Sequence, residues 1–145
     1  MSEPIRGSVA GRIGGAALFL VLSLACGAAG AVEEGLAKAN FSHEVADCTA
    51  YFTWSEGYAE KQNHPEEAAV FGESKDWSFG ILMMLRPQPS ELQKIKVEVS
   101  QSLQRLRAVA DSEGAERLPD LYETPCKDLL KYPEKRYKYW TDKQD

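Results

Sequence analysis

The sequence predicts an all-α fold, a small bundle of three long helices and one short C-terminal helix stapled by a disulfide between Cys48 and Cys126. Apolar residues recur every three or four positions along the chain after residue 41, which is the spacing of one helix face. Strand signals are nearly missing, since there is no long apolar–polar alternation and no Asn-Gly or Asp-Gly hairpin turn.

The first two helices are predicted over residues 42–62 and residues 64–85. Ser42 is a suitable N-cap for the first. Asn63 as N-cap and Glu66 in the first turn form a capping box for the second. Two adjacent apolar stripes give the second helix a wide face, so we expect it to be the most buried element. The stripes are Ala68, Phe71, Ser78, Leu82 and Leu85, and Val70, Trp77, Ile81 and Met84.

The third helix has the clearest periodicity, because apolar residues step by three and four from Leu92 to Val109. Ser90 and Gln93 form a second capping box in front of it. Gly114 is the residue type that most often ends a helix, so the third helix is predicted to end near it.

A polar linker is predicted over residues 111–119, before the short fourth helix. That helix is predicted over residues 125–131, with Thr124 as N-cap and Pro125 in the first helical position. The remaining tail, residues 132–145, is aromatic and charged, and its pattern predicts no particular conformation.

Residues 1–31 have the form of a secretory signal peptide. A short polar start carries Arg6 and Arg12, an apolar stretch follows, and Ala29-Gly30-Ala31 fits the small-residue rule for signal peptidase. Cleavage there leaves residues 32–145 as a single helical domain, which we expect to be periplasmic or secreted.

Two alternatives to cleavage stay open. Residues 13–32 carry no charge and are just long enough to cross a bilayer, so this segment would anchor the domain on the outside of the inner membrane. Alternatively, Cys26 is the lipid-modified residue of a lipoprotein. All of these interpretations place the folded part outside the cytoplasm.

Cys48 and Cys126 are the only cysteines beyond the signal segment. An even pair in an exported chain indicates one disulfide. It would close a loop of roughly 80 residues, worth about 4.5 kcal/mol in the chain-entropy model. A redox pair is the functional alternative, but the wide spacing and the missing C-x-x-C pattern argue against it.

The predicted domain is acidic. Of 17 Lys+Arg and 22 Asp+Glu, two and one lie in residues 1–31, which leaves 15 basic and 21 acidic side chains and a net charge of −6. This balance argues against a nucleic-acid partner and against an anionic membrane surface. It favours a basic partner. Membrane association is expected only if the N-terminal segment is retained.

No residue pattern indicates catalysis, so we expect neither enzyme activity nor a cofactor. The chain has no G-x-G-x-x-G or G-K-[ST] phosphate loop, and its helical serines have no histidine at helical spacing. His43 and Asp47 share a helix face and are weak candidates for a metal pair, but H-E-x-x-D falls short of H-E-x-x-H. Acidic residues at a helix start more often serve the helix dipole.

Aromatic residues cluster in two places. Tyr51, Trp54 and Tyr58 lie on a face of the first helix that either packs against another element, the commoner outcome, or binds a partner. The tail forms the second cluster, in which basic residues accompany the aromatic ones. We expect it to dock either on a partner or on its own acidic bundle. Its candidate partner-binding residues are Tyr137, Tyr139 and Trp140.

Together these features predict an exported, non-enzymatic interaction protein of the bacterial envelope, such as an inhibitor, an immunity-type protein or an accessory subunit. Its protein partner is not identified by the sequence. The alternative is an anchored accessory subunit of a membrane complex, which requires residues 1–31 to persist. A further alternative is a small metal-binding protein or enzyme that uses His43, Glu44 and Asp47.

Overall fold

The computed structural model describes the backbone of residues 17–143 and the side chains of residues 33–143. The chain divides into two units, Met1–Val32 and Glu33–Asp145, and the second is described below. The predicted signal peptide, the alternative anchor and Cys26 lie outside the described side chains. Within the part whose side chains are described, no helix combines the length and the apolar character that crossing a bilayer requires.

The described residues form five α-helices and no β-strand, which confirms the all-α prediction. The helices are α1 (Ala17–Lys61), α2 (Pro65–Leu85), α3 (Glu91–Glu113), α4 (Arg117–Lys131) and α5 (Pro133–Asp142). The predicted three long helices and one short helix are therefore one too few, because the C-terminal tail is itself helical.

The first helix begins well before the predicted N-cap. Ser42 is buried inside α1 and caps nothing. Ala37 and Phe41 are also buried, and they extend the apolar spacing of Val45 toward the N-terminus. Because this face continues without a proline, a serine alone does not start the helix.

Asn63 ends α1 instead of starting α2. Its backbone is left-handed, with φ of 59°, a conformation that Asn tolerates better than most residues. The His64 amide donates to the Ala59 carbonyl at 2.9 Å and the Asn63 amide to the Glu60 carbonyl at 3.1 Å. This pair of bonds is a Schellman motif. The predicted capping box was wrong, since His64 is the N-cap of α2 and makes no side-chain capping bond.

The capping box predicted for α3 is also absent. Ser90 is the N-cap residue, but its dihedrals are helical and its side chain makes no capping hydrogen bond. The Glu91 amide donates to the Gln88 carbonyl at 2.9 Å and the Leu92 amide to the Pro89 carbonyl at 3.3 Å. The carbonyls of the preceding turn thus accept hydrogen bonds from the first amides of α3, a role that a capping serine side chain would otherwise fill.

The fourth helix starts inside the predicted linker and contains Pro125 within it. Leu118 in its first turn is completely buried and anchors that turn to the core. Pro125 cannot donate to the Leu121 carbonyl, but both residues lie on the exposed side of α4, where water can replace the missing donor. Thr124 is consequently a residue of the helix and not its cap.

The part of α1 from residue 33 onward, rather than α2, is the most buried element. It supplies Tyr51 and Phe52, the two largest fully buried side chains. Of the two apolar stripes of α2, one faces α1 and the other largely faces solvent. The core residues that α1 contributes are Phe41, Val45, Ala46, Cys48, Ala50, Tyr51 and Phe52.

Residues 44–49 of α1, which we call the α1 hub, make a side-chain link to each of the other four helices. A helix advances about 100° per residue, so neighbouring residues of the hub point toward different helices. The links run from Thr49 to Ser78 of α2, Asp47 to Arg105 of α3, Cys48 to Cys126 of α4 and Glu44 to Arg136 of α5.

The predicted cysteine pair is confirmed. The Sγ atoms of Cys48 and Cys126 lie at disulfide-bonding distance, with their Cα atoms 5.3 Å apart. Both cysteines are buried in the core between α1 and α4. The bond therefore fixes the fourth helix to the centre of the unit.

Candidate partner-binding surface

The first aromatic cluster is divided between the core and the surface. Tyr51 is only 1% exposed, and its ring stacks on Tyr122 with ring centroids 5.8 Å apart. Trp54 and Tyr58 stack on each other at 4.9 Å, with Trp54 packed against the core and Tyr58 exposed. Tyr51 is thus a packing residue, and Trp54 and Tyr58 alone form the surface patch on α1.

Burial also governs the ionisation of the core tyrosines. It raises the pKa of Tyr51 above the ordinary value, an effect opposed by a hydrogen bond to Ser55 and reinforced by the nearby charge of Glu123. Burial likewise raises the pKa of Tyr122, with a further contribution from Asp47. Both phenols therefore stay neutral and serve the packing of α1 against α4.

The aromatic tail docks on its own bundle through Glu44. Arg136 Nε donates to the two carboxylate oxygens of Glu44 at 2.8 and 2.9 Å, and Trp140 Nε1 donates to Oε2 at 2.8 Å. The Tyr137 ring meets Phe41 edge-on at 5.5 Å. Two of the three tail aromatics predicted to bind a partner, Tyr137 and Trp140, thus hold α5 in place.

Of the three tail aromatics predicted to bind a partner, Tyr139 is the one that faces outward. The Arg136 guanidinium lies 4.4 Å and the Lys143 ammonium 5.2 Å from its ring centroid. A hydrogen bond with Lys143 lowers the pKa of Tyr139. An open groove of about 600 Å³ runs beside it between α4 and α5, with Leu129 and Tyr132 among its walls. This surface is aromatic and basic, in contrast to the acidic remainder of the unit.

His43 and Asp47 do not converge on a common site. His43 Nδ1 lies 2.5 Å from Glu98 Oε1, whereas Asp47 accepts a hydrogen bond from Arg105 Nη2 at 2.9 Å. The two side chains therefore bind different residues of α3. Within residues 33–143, no group of three or more His, Cys, Asp or Glu is placed to hold a metal ion.

The three most exposed large apolar side chains of residues 33–143 were predicted to be buried. Val70, Trp77 and Met84 follow each other at seven-residue spacing on α2, and they are 59, 61 and 71% exposed. We call these three residues the α2 stripe. The sequence places them in the second of two adjacent apolar stripes, and the two stripes together were predicted to form one wide buried face. The signal that separates them is rotation about the helix axis, which places the core residues Ser78 and Leu82 about 100° and about 140° from Trp77.

Carboxylates accompany the α2 stripe. Glu66 and Glu73 are exposed and lie four residues before Val70 and Trp77, one helical turn away. Lys75, the one basic residue of α2, is bound to Glu56 of α1 at 2.7 Å, and this hydrogen bond raises its pKa. The free charge beside the stripe is therefore negative.

Comparison with protein-family models, with curated proteins and with solved structures finds no match to this chain. Three exposed surfaces of the described residues are the features that bear on function. These are the α2 stripe, the Trp54–Tyr58 stack and the basic surface around Tyr139.

Proposed function

We propose that the chain is an exported, non-enzymatic interaction protein of the bacterial envelope, acting as an inhibitor, an immunity-type protein or an accessory subunit. The α2 stripe carries the proposal. Its three large apolar side chains stand in a row on a regular helix, each more than half exposed. Exposed apolar patches with tryptophan and methionine are typical of surfaces that bind other proteins.

The contacts of the other aromatic residues also favour the α2 stripe as the partner-binding surface. Trp140, Tyr137 and Tyr51 make intramolecular contacts that hold α5 and the core together. Trp77 makes no comparable aromatic pair among the described residues. Exposing an indole on an ordered helix costs solvation free energy, which binding to a partner recovers.

The export part of the proposal rests on the sequence of residues 1–31 and on the cysteine pair. Cys48 and Cys126 form a disulfide between two buried positions, and such bonds form and persist mainly in oxidising compartments. The periplasm and the exterior of the cell are such compartments, and the N-terminal segment is of the type that directs a chain there.

The test is capture of partners by the tagged chain from the native envelope in mild detergent, read by mass spectrometry. The unchanged chain should recover a stoichiometric partner, and Trp77→Ala should lose it. Tyr132→Ala, which removes another exposed aromatic ring from a different surface, is the control and should retain it. A solitary protein, or a partner that all three chains retain equally, would contradict the proposal.

A membrane-anchored accessory subunit is the second candidate. The observation in its favour is the uncharged segment 13–32, which has the length of a bilayer span. The intact mass of the protein from its native envelope separates the two forms. The mass of a chain that starts at Val32 supports the exported form. The mass of a chain that keeps residues 1–31 supports the anchored form.

A further inference from the structure

The α2 stripe belongs to a longer row of residues with the geometry of a helix-packing seam. Beginning at Glu66, successive members of the row are alternately four and three residues apart, which is the spacing along which a second helix packs. Carboxylates and a glycine alternate with the apolar side chains. The row is Glu66, Val70, Glu73, Trp77, Gly80 and Met84.

Gly80 gives this row a notch beside its largest side chain. A Cβ atom added at Gly80 would meet no other atom within 4 Å, so the space above the backbone is open. A bulky side chain of a second helix can enter there, between Trp77 and Met84. Interdigitation of this kind is how packed helices exclude water.

The charges of the row select the partner. Glu66 and Glu73 are exposed, and neither forms an ion pair with another described residue. The predicted domain carries a net charge of −6, so basic partners are attracted over the whole unit. A helix laid on the row desolvates both carboxylates, which is costly unless cationic side chains meet them.

A second copy of this chain does not supply those cations. In a parallel pair, Glu66 and Glu73 would meet the same carboxylates of the other copy. In an antiparallel pair, Glu73 would lie against the uncharged half of the other α2, which has no charged residue from Trp77 to Leu85. Either arrangement leaves carboxylates desolvated without a partner, which disfavours self-association.

We propose that the α2 stripe docks a basic amphipathic helix of a partner protein. Its Lys or Arg side chains pair with Glu66 and Glu73, and its apolar side chains cover Val70, Trp77 and Met84. This inference rests on the proposed function and specifies the chemistry of the partner.

The probe is a synthetic helix of about three heptads with leucine at alternating three- and four-residue spacing and lysine at the flanking positions. A peptide with glutamate in place of every lysine keeps the apolar pattern and is its control. Binding of each labelled peptide to the disulfide-bonded protein recovered from the envelope is measured by fluorescence anisotropy. Detergent is kept below its critical micelle concentration.

The lysine peptide should bind and the glutamate peptide should not. Trp77→Ala should weaken binding roughly tenfold or more, as for a central interface aromatic. The double variant Glu66→Gln/Glu73→Gln should weaken it as well and reduce its salt dependence, because screening acts on the charge pairs that this variant removes. Asp128→Asn/Glu134→Gln changes the net charge equally on another surface and should leave binding unchanged.

Equal binding of both peptides would overturn the inference, and so would a control variant that loses as much affinity as the Glu66/Glu73 variant. A dimer of the protein alone that Trp77→Ala dissociates in sedimentation equilibrium would assign the stripe to a second copy. If Trp77→Ala abolishes capture of an envelope partner while the lysine peptide does not bind, the interaction role stands and the basic helix is rejected.

Discussion

Glu44 attaches the last helix of the chain with a single carboxylate. It accepts hydrogen bonds from Arg136 and Trp140, and Arg136 also lies over the Tyr139 ring. The hydrogen bond with Glu44 raises the pKa of Arg136 and so favours the charged guanidinium. Since α5 contributes no fully buried residue, this polar contact is a large part of what docks it.

Glu44→Ala should release α5 and cost about 1.5–3 kcal/mol in the free energy of unfolding, the range for hydrogen bonds to charged groups. Glu44→Gln should have a smaller effect, because the amide oxygen still accepts one bond. Hydrogen exchange of the α5 amides and urea denaturation measure the two quantities. Glu60→Ala, at an exposed position of the same helix, is the control, and a loss of equal size there would refute the role of Glu44.

The phenols of Tyr51, which is buried, and Tyr122, which is partly buried, should make the fold sensitive to alkali. Burial raises both pKa values in the folded state, so their stabilising effect is present below the ordinary pKa of about 10 and is lost as pH rises through the folded values. Urea denaturation between about pH 9 and pH 11 should show falling stability. Tyr51→Phe should reduce the dependence of the free energy of unfolding on pH, whereas Tyr58→Phe, at an exposed position, should not. Equal pH dependence in the unchanged protein and in both variants would exclude the two phenols as its cause.

At the scale of elements, periodicity located α2 and α3 but not the starts of α1 and α4. Apolar residues at three- and four-residue spacing mark a helix interior, so those two helices could be predicted. Ser42 and Thr124 are good N-caps in isolation, but burial of Phe41 and Leu118 extends each helix past them. Tertiary burial outweighs a capping bond of about 1 kcal/mol, and the sequence does not reveal which apolar residues find a partner.

The candidate surface was only partly predictable for the same reason. Spacing separated Trp54 and Tyr58 from Phe52, but it could not tell that Tyr122 from α4 would cover Tyr51. Trp77 and Leu82 belong to two apolar faces of one helix, and which face stays open depends on where the other helices lie. Exposure of the α2 stripe is therefore a property of the assembled bundle.

Pro125→Ala distinguishes the observed α4 from the predicted short helix. Inside a helix, replacement of proline restores an amide donor and removes a steric clash, so the free energy of unfolding should rise by about 1–3 kcal/mol. In the first position of a helix, where Pro125 was predicted, the change would be nearly neutral. Pro133→Ala, in the first turn of α5, supplies that comparison in the same urea denaturation experiment. No gain from Pro125→Ala would contradict a helix that starts at Arg117.

At the scale of the whole molecule, the α1 hub makes the bundle depend on one short stretch of chain. Residues 44–49 join four helices, and one of the four links is covalent. Damage to the hub is therefore expected to loosen several helices together. The disulfide is the link whose loss matters most, because it also restricts the unfolded chain.

Replacing Cys48 and Cys126 together with alanine should lower the free energy of unfolding by about 4.5 kcal/mol, the chain-entropy value for this loop. Denaturation of the oxidised protein, the reduced protein and the double variant measures the difference. The reduced protein should resemble the variant. A variant as stable as the oxidised protein would show that noncovalent packing alone holds α4 on α1.

The same bond makes most of the unit a closed covalent ring, since the linked cysteines are 78 residues apart. Pulled by its ends, the oxidised chain can extend only through the segments outside the ring. Reduction would release about 260–280 Å of additional contour length, which single-molecule stretching can read directly. A ring of this size enters a narrow pore only as a doubled strand. If the chain is exported in extended form, its cysteines have to be joined after the crossing. A protease that threads its substrates would then have to pass two strands at once when it reaches the cross-link, from either end of the chain.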